Sequence, residues 1–151
     1  MTLRTILLAV GPGDADRTDE LAEAVVEVAE PAGATVVLAH VFTSDEYDEV
    51  CRRLEFDPDL EEIDPNDVAK RHATIRDLAR TLEGADVDYE VTGAVGDHGE
   101  SIVDLASEAD ADRVVVGGRR RTPTGKAVFG STAQEVLLSA PCPVTFVRGD
   151  D

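Results

Sequence analysis

Apolar residues follow two alternating rhythms along this chain. Short runs rich in apolar and β-branched residues cover residues 3–10, 34–42, 87–92, 113–116 and 144–147 and read as strands. The continuous run 34–42 has the pattern of a strand buried on both faces. Between them, apolar residues recur at helical spacing. The stripes are Leu21, Val25, Val28 and Ala29; then Val68, His72, Ile75, Ala79 and Leu82; then Ile102, Leu105, Ala106 and Ala109; then Val136, Leu137 and Ala140. Gly11-Pro12-Gly13 punctuates the first junction; Asp16, Thr18 or Asp19 is the expected cap of the first helix, and Pro31 with Gly33 its expected end. The second stripe is expected to stop near Gly84.

The order is therefore βαβαβαβαβ. Parallel strands need crossover connections, and the helices supply them. The predicted fold is α/β: a single doubly wound domain over residues 1–151, with a five-stranded parallel sheet flanked by helices. One insertion interrupts the pattern, residues 43–65, rich in Asp and Glu, with room for a short helix over 46–54. Its acids lack the loop spacing of an EF-hand, so a solvated acidic flap is expected.

A chain of 151 residues, 42% apolar and 30% charged, suits one globular core. No apolar run is long enough to span a bilayer, and no basic leader precedes the first one, which argues for a cytoplasmic location without a membrane partner. Charge changes the picture more. Lys and Arg total 14 against 32 Asp and Glu, a net charge of −18. That field repels nucleic acid, so none is expected as a partner. Lysine occurs only at Lys70 and Lys126, and the acids are spread along the whole chain. This pattern points to a halophilic acidic protein, with an ordinary acidic cytosolic protein as the plainer reading. Cys51 and Cys142 imply no disulfide framework.

The candidate chemistry lies after the fourth strand. Gly117-Gly118 leads into Arg119-Arg120-Arg121 and on to Lys126, four cations within eight residues of an acidic chain. Gly130-Ser131-Thr132 then opens a helix, where free N–H groups and hydroxyls favour an anion. A bound polyphosphate explains this local exception to the global charge; the alternative is a basic loop paired with nearby carboxylates, with Ser131 as a plain cap. Gly125-Lys126 is not a Walker A loop, since Arg120 and Ala127 stand where its first Gly and its Ser/Thr belong. Residues 93–99 lack a dinucleotide fingerprint, and no nucleophile elbow occurs. His40, His72 and His98 are scattered and suit core or surface roles, and no catalytic residue is identified.

These segments resemble the universal stress protein family, whose pattern is Gly-x-x-Gly, nine residues, Gly-Ser/Thr, a helix, and a segment like Ala-Pro-Cys-Pro-Val. Here Gly117-Gly118-Arg119-Arg120 is followed by nine residues, Gly130-Ser131, and then Ala140-Pro141-Cys142-Pro143-Val144. Leu38-Ala39-His40-Val41 resembles the end of the family's second strand, and residues 96–102 its turn into the third helix. The resemblance implies a Rossmann-like domain that binds ATP, with accompanying Mg²⁺, or a related adenine nucleotide as a regulatory ligand. By position, Val10, Gly11 and Val41 would border the adenosine, and Val116, Gly117, Arg119, Arg120, Gly130, Ser131 and Thr132 the ribose and phosphates. Two departures stand out: Gly11 where the family carries an aspartate, and Arg120 in place of the second glycine. The resemblance also implies a homodimer through the last strand, for which proline at Thr145 is the natural probe, and an unidentified protein partner. The alternative function is a nucleotide-free dimer acting through protein contacts. A slow ATPase would need a Mg²⁺ ligand and a water-orienting group, neither of which the residues identify.

Overall fold

The computed structural model describes residues 3–53, 64–118 and 131–148. Five strands, β1 (Thr5–Val10), β2 (Thr35–Phe42), β3 (Tyr89–Val95), β4 (Arg113–Gly118) and β5 (Val144–Arg148), form one parallel sheet in the order β3-β2-β1-β4-β5. The register is continuous: Leu8 lies opposite Leu38 and Val115, Leu38 opposite Val91, and Val115 opposite Thr145. The helices are α1 (Thr18–Ala32), α2 (Ser44–Arg53), α3 (Pro65–Arg71), α4 (Ala73–Gly84), α5 (His98–Glu108) and α6 (Ser131–Ser139). A 3₁₀ turn, Pro12–Arg17, joins β1 to α1.

Each face of the sheet has its own core. On one face, Ile6, Leu8, Leu38 and Val115 pack against Leu21 and Val25 of α1 and Ile75, Leu78 and Leu82 of α4. On the other, Leu7, Ala39, Val114 and Val116 pack against Ile102 and Ala106 of α5 and Val136 of α6. Alternating residues of β1, β2 and β4 feed opposite cores, which is why these strands read as nearly unbroken apolar runs, whereas the edge strand β3 carries exposed Glu90.

Four local expectations are corrected. The turn Pro12–Arg17 takes up the residues expected to cap α1, so Thr18 is its first residue and no side chain caps it. Pro31 lies within α1, which ends at Gly33 in the left-handed conformation at φ 67°; only its last turn carries the proline. The stripe through His72 is two helices rather than one. His72 is extended, and its Nδ1 accepts the Thr74 N–H, so the ring caps α4 after α3 has ended. β3 begins two residues later than expected, because the Val87 N–H closes α4 on the Leu82 carbonyl, and it continues through Gly93 to Val95. Gly93 is a point of close approach: a Cβ there would overlap the Pro65 backbone, and its N–H donates to Asn66 Oδ1 at 2.7 Å. The N-terminus of α3 thereby covers the outer end of this edge strand.

The insertion is also more than a solvated flap. Val50 and Cys51 of α2 are buried with Phe42, Val68 and Ala69 in a third small core over the end of β2. Among the described residues no helix is long and apolar enough to cross a membrane.

Candidate functional site

β1 lies between β2 and β4, so the chain winds outward one way through β2 and β3 and the other way through β4 and β5. The switch point is the crevice beyond the carboxyl ends of β1 and β4, the usual ligand position in an open α/β sheet. Gly11 follows β1 on that crevice, and Gly117 lies near the end of β4. Between them sits a pair that the sequence reasoning missed. Asp14 Oδ2 accepts the Gly11 N–H at 2.8 Å, and Asp14 Oδ1 accepts from Arg17 Nε at 2.7 Å. Both side chains are largely buried, Arg17 at 12% and Asp14 at 11% exposure.

The turn builds this arrangement locally. The Asp14 N–H returns to the Gly11 carbonyl at 3.1 Å, so backbone and side chain close on Gly11 reciprocally. Arg17 one turn on is then brought over the same carboxylate. The pair presses against β4: a Cβ on Gly117 would lie 2.9 Å from Arg17 Cδ and 3.0 Å from Asp14 Oδ1. Glycine is what allows the turn and the strand to meet there. A Cβ on Gly11, by contrast, would meet nothing within 4 Å. The only sequence signal for the pair was an acid three residues after Gly11 and a base three residues further on.

The other expected site residues divide among the elements. Val10, at the end of β1, is buried in the core beneath α1 and α4, whereas Val41 and Val116 are buried in the opposite core. The three valines therefore do not form one wall. Gly11 and Gly117 are brought together through Asp14. Thr132 is half-buried in the first turn of α6, which begins at Ser131. Arg119, Arg120 and Gly130 lie outside the described residues, as do Arg121 and Lys126.

The histidines, scattered in sequence, gather near the end of β2. The His40 ring stacks on Phe42 at 4.2 Å and 16°, and meets His72 at 4.4 Å. His40 is 1% exposed, and neither ring nitrogen has a hydrogen-bond partner among the described residues. Burial pushes its pKa down to about 3, with His72 adding to the shift and the Glu46 carboxylate opposing it. His98, at the start of α5, donates from Nε2 to Glu46 Oε1 at 2.7 Å. Burial works against the Glu46 carboxylate, but the Thr43 N–H and His98 outweigh it and hold its pKa below the ordinary value. These contacts tie α2 to α5. Burial pushes both the Cys51 and Cys142 thiols up, so neither is an activated nucleophile. Among the described residues no group of three His, Cys, Asp or Glu side chains could hold a metal ion.

The sequence matches the model of the universal stress protein family over residues 2–148. A universal stress protein of Mycolicibacterium smegmatis is 35% identical over 79 residues, which cover 52% of this chain and 61% of that protein. The chain thus aligns with about three-fifths of that curated relative's length. Among solved structures, a universal stress protein from Archaeoglobus fulgidus superposes with a TM-score of 0.62 at 27% identity, covering 96% of this chain and 98% of the other. Another from the same organism, in complex with dAMP, has a TM-score of 0.68 at 22% identity and covers 98% of this chain and 100% of that one. With the strand order, the switch-point crevice and the family match in agreement, the chain belongs to the universal stress protein family.

Proposed function

We propose that this protein binds an adenine nucleotide, ATP or a close relative, as a regulatory ligand in the crevice between the carboxyl ends of β1 and β4. The observation that carries the reading is Gly11, whose Cβ position at the end of β1 has nothing within 4 Å, beside the strand that leads into the cluster of arginines. Glycine lets a ligand approach the main chain, and the arginines supply charge complementary to phosphates. The dAMP complex of the Archaeoglobus fulgidus relative supports the same ligand class. Mg²⁺ would arrive with the triphosphate. A ligand bound beside the arginine-bearing segment would change a surface that other proteins read, and the homodimer through β5 would present two such surfaces.

Titration calorimetry with ATP and AMP tests this. ATP is expected to bind at least about tenfold more tightly, as charge-assisted hydrogen bonds of roughly 1.5–3 kcal/mol imply. Arg120→Gly weakens ATP if Arg120 contacts phosphate and strengthens it if the side chain fills the site. Ser131→Ala weakens ATP in either case. The nucleotide reading fails if neither the unmodified protein nor Arg120→Gly gives heat with millimolar ATP and Mg²⁺. The nucleotide-free dimer then takes its place, a reading favoured by Gly11 at the aspartate position and by exposed Leu138 on α6.

A further inference from the structure

We infer that the outer edge of β3 takes up an extended segment of a partner protein, one that carries an acidic residue at every second position. The surface is separate from the nucleotide crevice, since β3 is the sheet edge on the far side of β2 from β1 and β4. Hydrogen bonds fix which backbone groups of that edge face outward. The Val36 N–H donates to the Asp88 carbonyl at 2.9 Å, and the Gly96 N–H to the Phe42 carbonyl at 2.8 Å. With Val36 opposite Tyr89 and Phe42 opposite Val95, the parallel ladder turns the even-numbered residues of this stretch towards β2. The N–H and C=O groups of Tyr89, Val91 and Gly93 therefore point away from the sheet. At Gly93 the edge is closed, because Asn66 Oδ1 accepts its N–H and the Pro65 backbone lies where a Cβ would stand. Tyr89 and Val91 have no strand partner on that side among the described residues, which leaves their groups as a template for an added strand.

A groove of about 880 Å³ accompanies this part of the edge, between β3 and the helices α3 and α4. Lys70 of α3 and Arg76 and Arg80 of α4 line it. Arg80 reaches Asp77 only at 3.6 Å with both side chains well exposed, and Lys70 and Arg76 form no ion pair among the described residues. Glu83, also in the groove, is engaged by the Tyr89 hydroxyl, which donates to its Oε1 at 2.6 Å. On a chain of net charge −18, unpaired cations beside an open strand edge are complementary to an acidic partner. The pleat sets the spacing of its acids. Tyr89 and Val91 pack towards the core beneath α1 and α4, whereas Glu90 is exposed and takes the alternate face. A strand added here divides its own residues between the same two faces. Acids on the groove face meet Lys70, Arg76 and Arg80; the residues between them lie on the side of Glu90 and are uncharged. A second copy of this chain is the poorer occupant, because two-fold pairing of β3 with itself sets the same cations against one another.

Solution NMR with added peptides tests the inference. The probe is an acetylated heptapeptide in which Glu and Val alternate; one control carries Lys in place of Glu, and another keeps the composition with its glutamates contiguous. The alternating glutamate peptide is expected to bind at least about tenfold more tightly than the lysine peptide, as several cross-strand charge pairs imply. The contiguous peptide should bind several-fold more weakly than the alternating one. Bound peptide should slow hydrogen exchange at the Tyr89 and Val91 N–H groups and leave Glu90 and Thr92, which already face β2, unchanged. Lys70→Gln combined with Arg76→Gln, both at exposed positions, should bring the glutamate and lysine peptides to within about twofold of each other. No binding of the glutamate peptide at millimolar concentration, or binding that leaves Tyr89 and Val91 exchange unchanged, overturns the inference. Equal binding of the alternating and contiguous peptides overturns the spacing, and a charge preference that survives in the double variant overturns the role of the cations. Protection of Tyr89 and Val91 without peptide that grows with protein concentration assigns the edge to a second copy instead.

Discussion

A histidine buried in the interior carries a pH signature. His40 holds a pKa of about 3 in the folded chain against an ordinary 6.5. Between these values the unfolded chain binds the proton and the folded chain does not. Stability is therefore full above pH 6.5 and falls as the pH drops towards 3, by at most roughly 5 kcal/mol. His40→Leu removes the titration and loses no hydrogen bond among the described residues. In urea denaturation, its stability relative to the unmodified protein should rise from pH 7 to pH 4.5 by up to roughly 3 kcal/mol. Equal differences at the two pH values would sink the argument. That His40 is a core residue was legible from its place in an apolar run. Its stacking on Phe42 and His72 was not, because α3 and α4 bring His72 back from far along the chain.

At the scale of elements, the proposed dimer depends on which backbone groups of β5 are already used. The Val114 N–H donates to the Pro143 carbonyl at 3.0 Å, and Val114 lies opposite Val144. In a parallel ladder this turns the Thr145 N–H inward to β4 and leaves the N–H groups of Val144 and Phe146 outward. Proline at Thr145 would thus break the sheet rather than cap its edge. Phe146 is no better, since its ring lies 2.6 Å from where a Gly118 Cβ would stand. Leu138, 78% exposed on the helix that leads into β5, is the cleaner probe. Light scattering at micromolar concentration should show a dimer for the unmodified protein and more monomer for Leu138→Glu. A monomeric unmodified protein would end the proposal. The edge position of β5 was expected from its short apolar run and the family resemblance, and the strand order bears it out; the direction of its donors needed the register.

For the molecule as a whole, a net charge of −18 makes self-repulsion a general cost of compactness. Salt shortens the screening length from roughly 10 Å at 0.1 M to about 3 Å at 1 M. The thermal midpoint should therefore rise with KCl, each kcal/mol of relieved repulsion being worth about 2–4 °C at this chain length. Scanning calorimetry across that range is the check, and a flat or falling midpoint would remove the basis for the halophilic reading. The prediction comes from composition alone and does not depend on the fold.

Sequence by itself determined the alternation of strands and helices, the parallel sheet and the end of it that offers a ligand crevice. Those follow from local periodicity and from the crossover that parallel strands require. It also exposed Gly117 and the arginine cluster as a local reversal of charge. Only the tertiary structure decided that Val10 faces a different core from Val41 and Val116, since that depends on which face of the pleat each strand residue takes. Nor could periodicity show His72 ending one helix and beginning another, because its position keeps the helical stripe while its backbone leaves it. The Asp14–Arg17 pair is the clearest case. Its residues look like ordinary solvated charges in a turn, and they come to lie buried against Gly117 only because β1 and β4, more than a hundred residues apart, lie side by side.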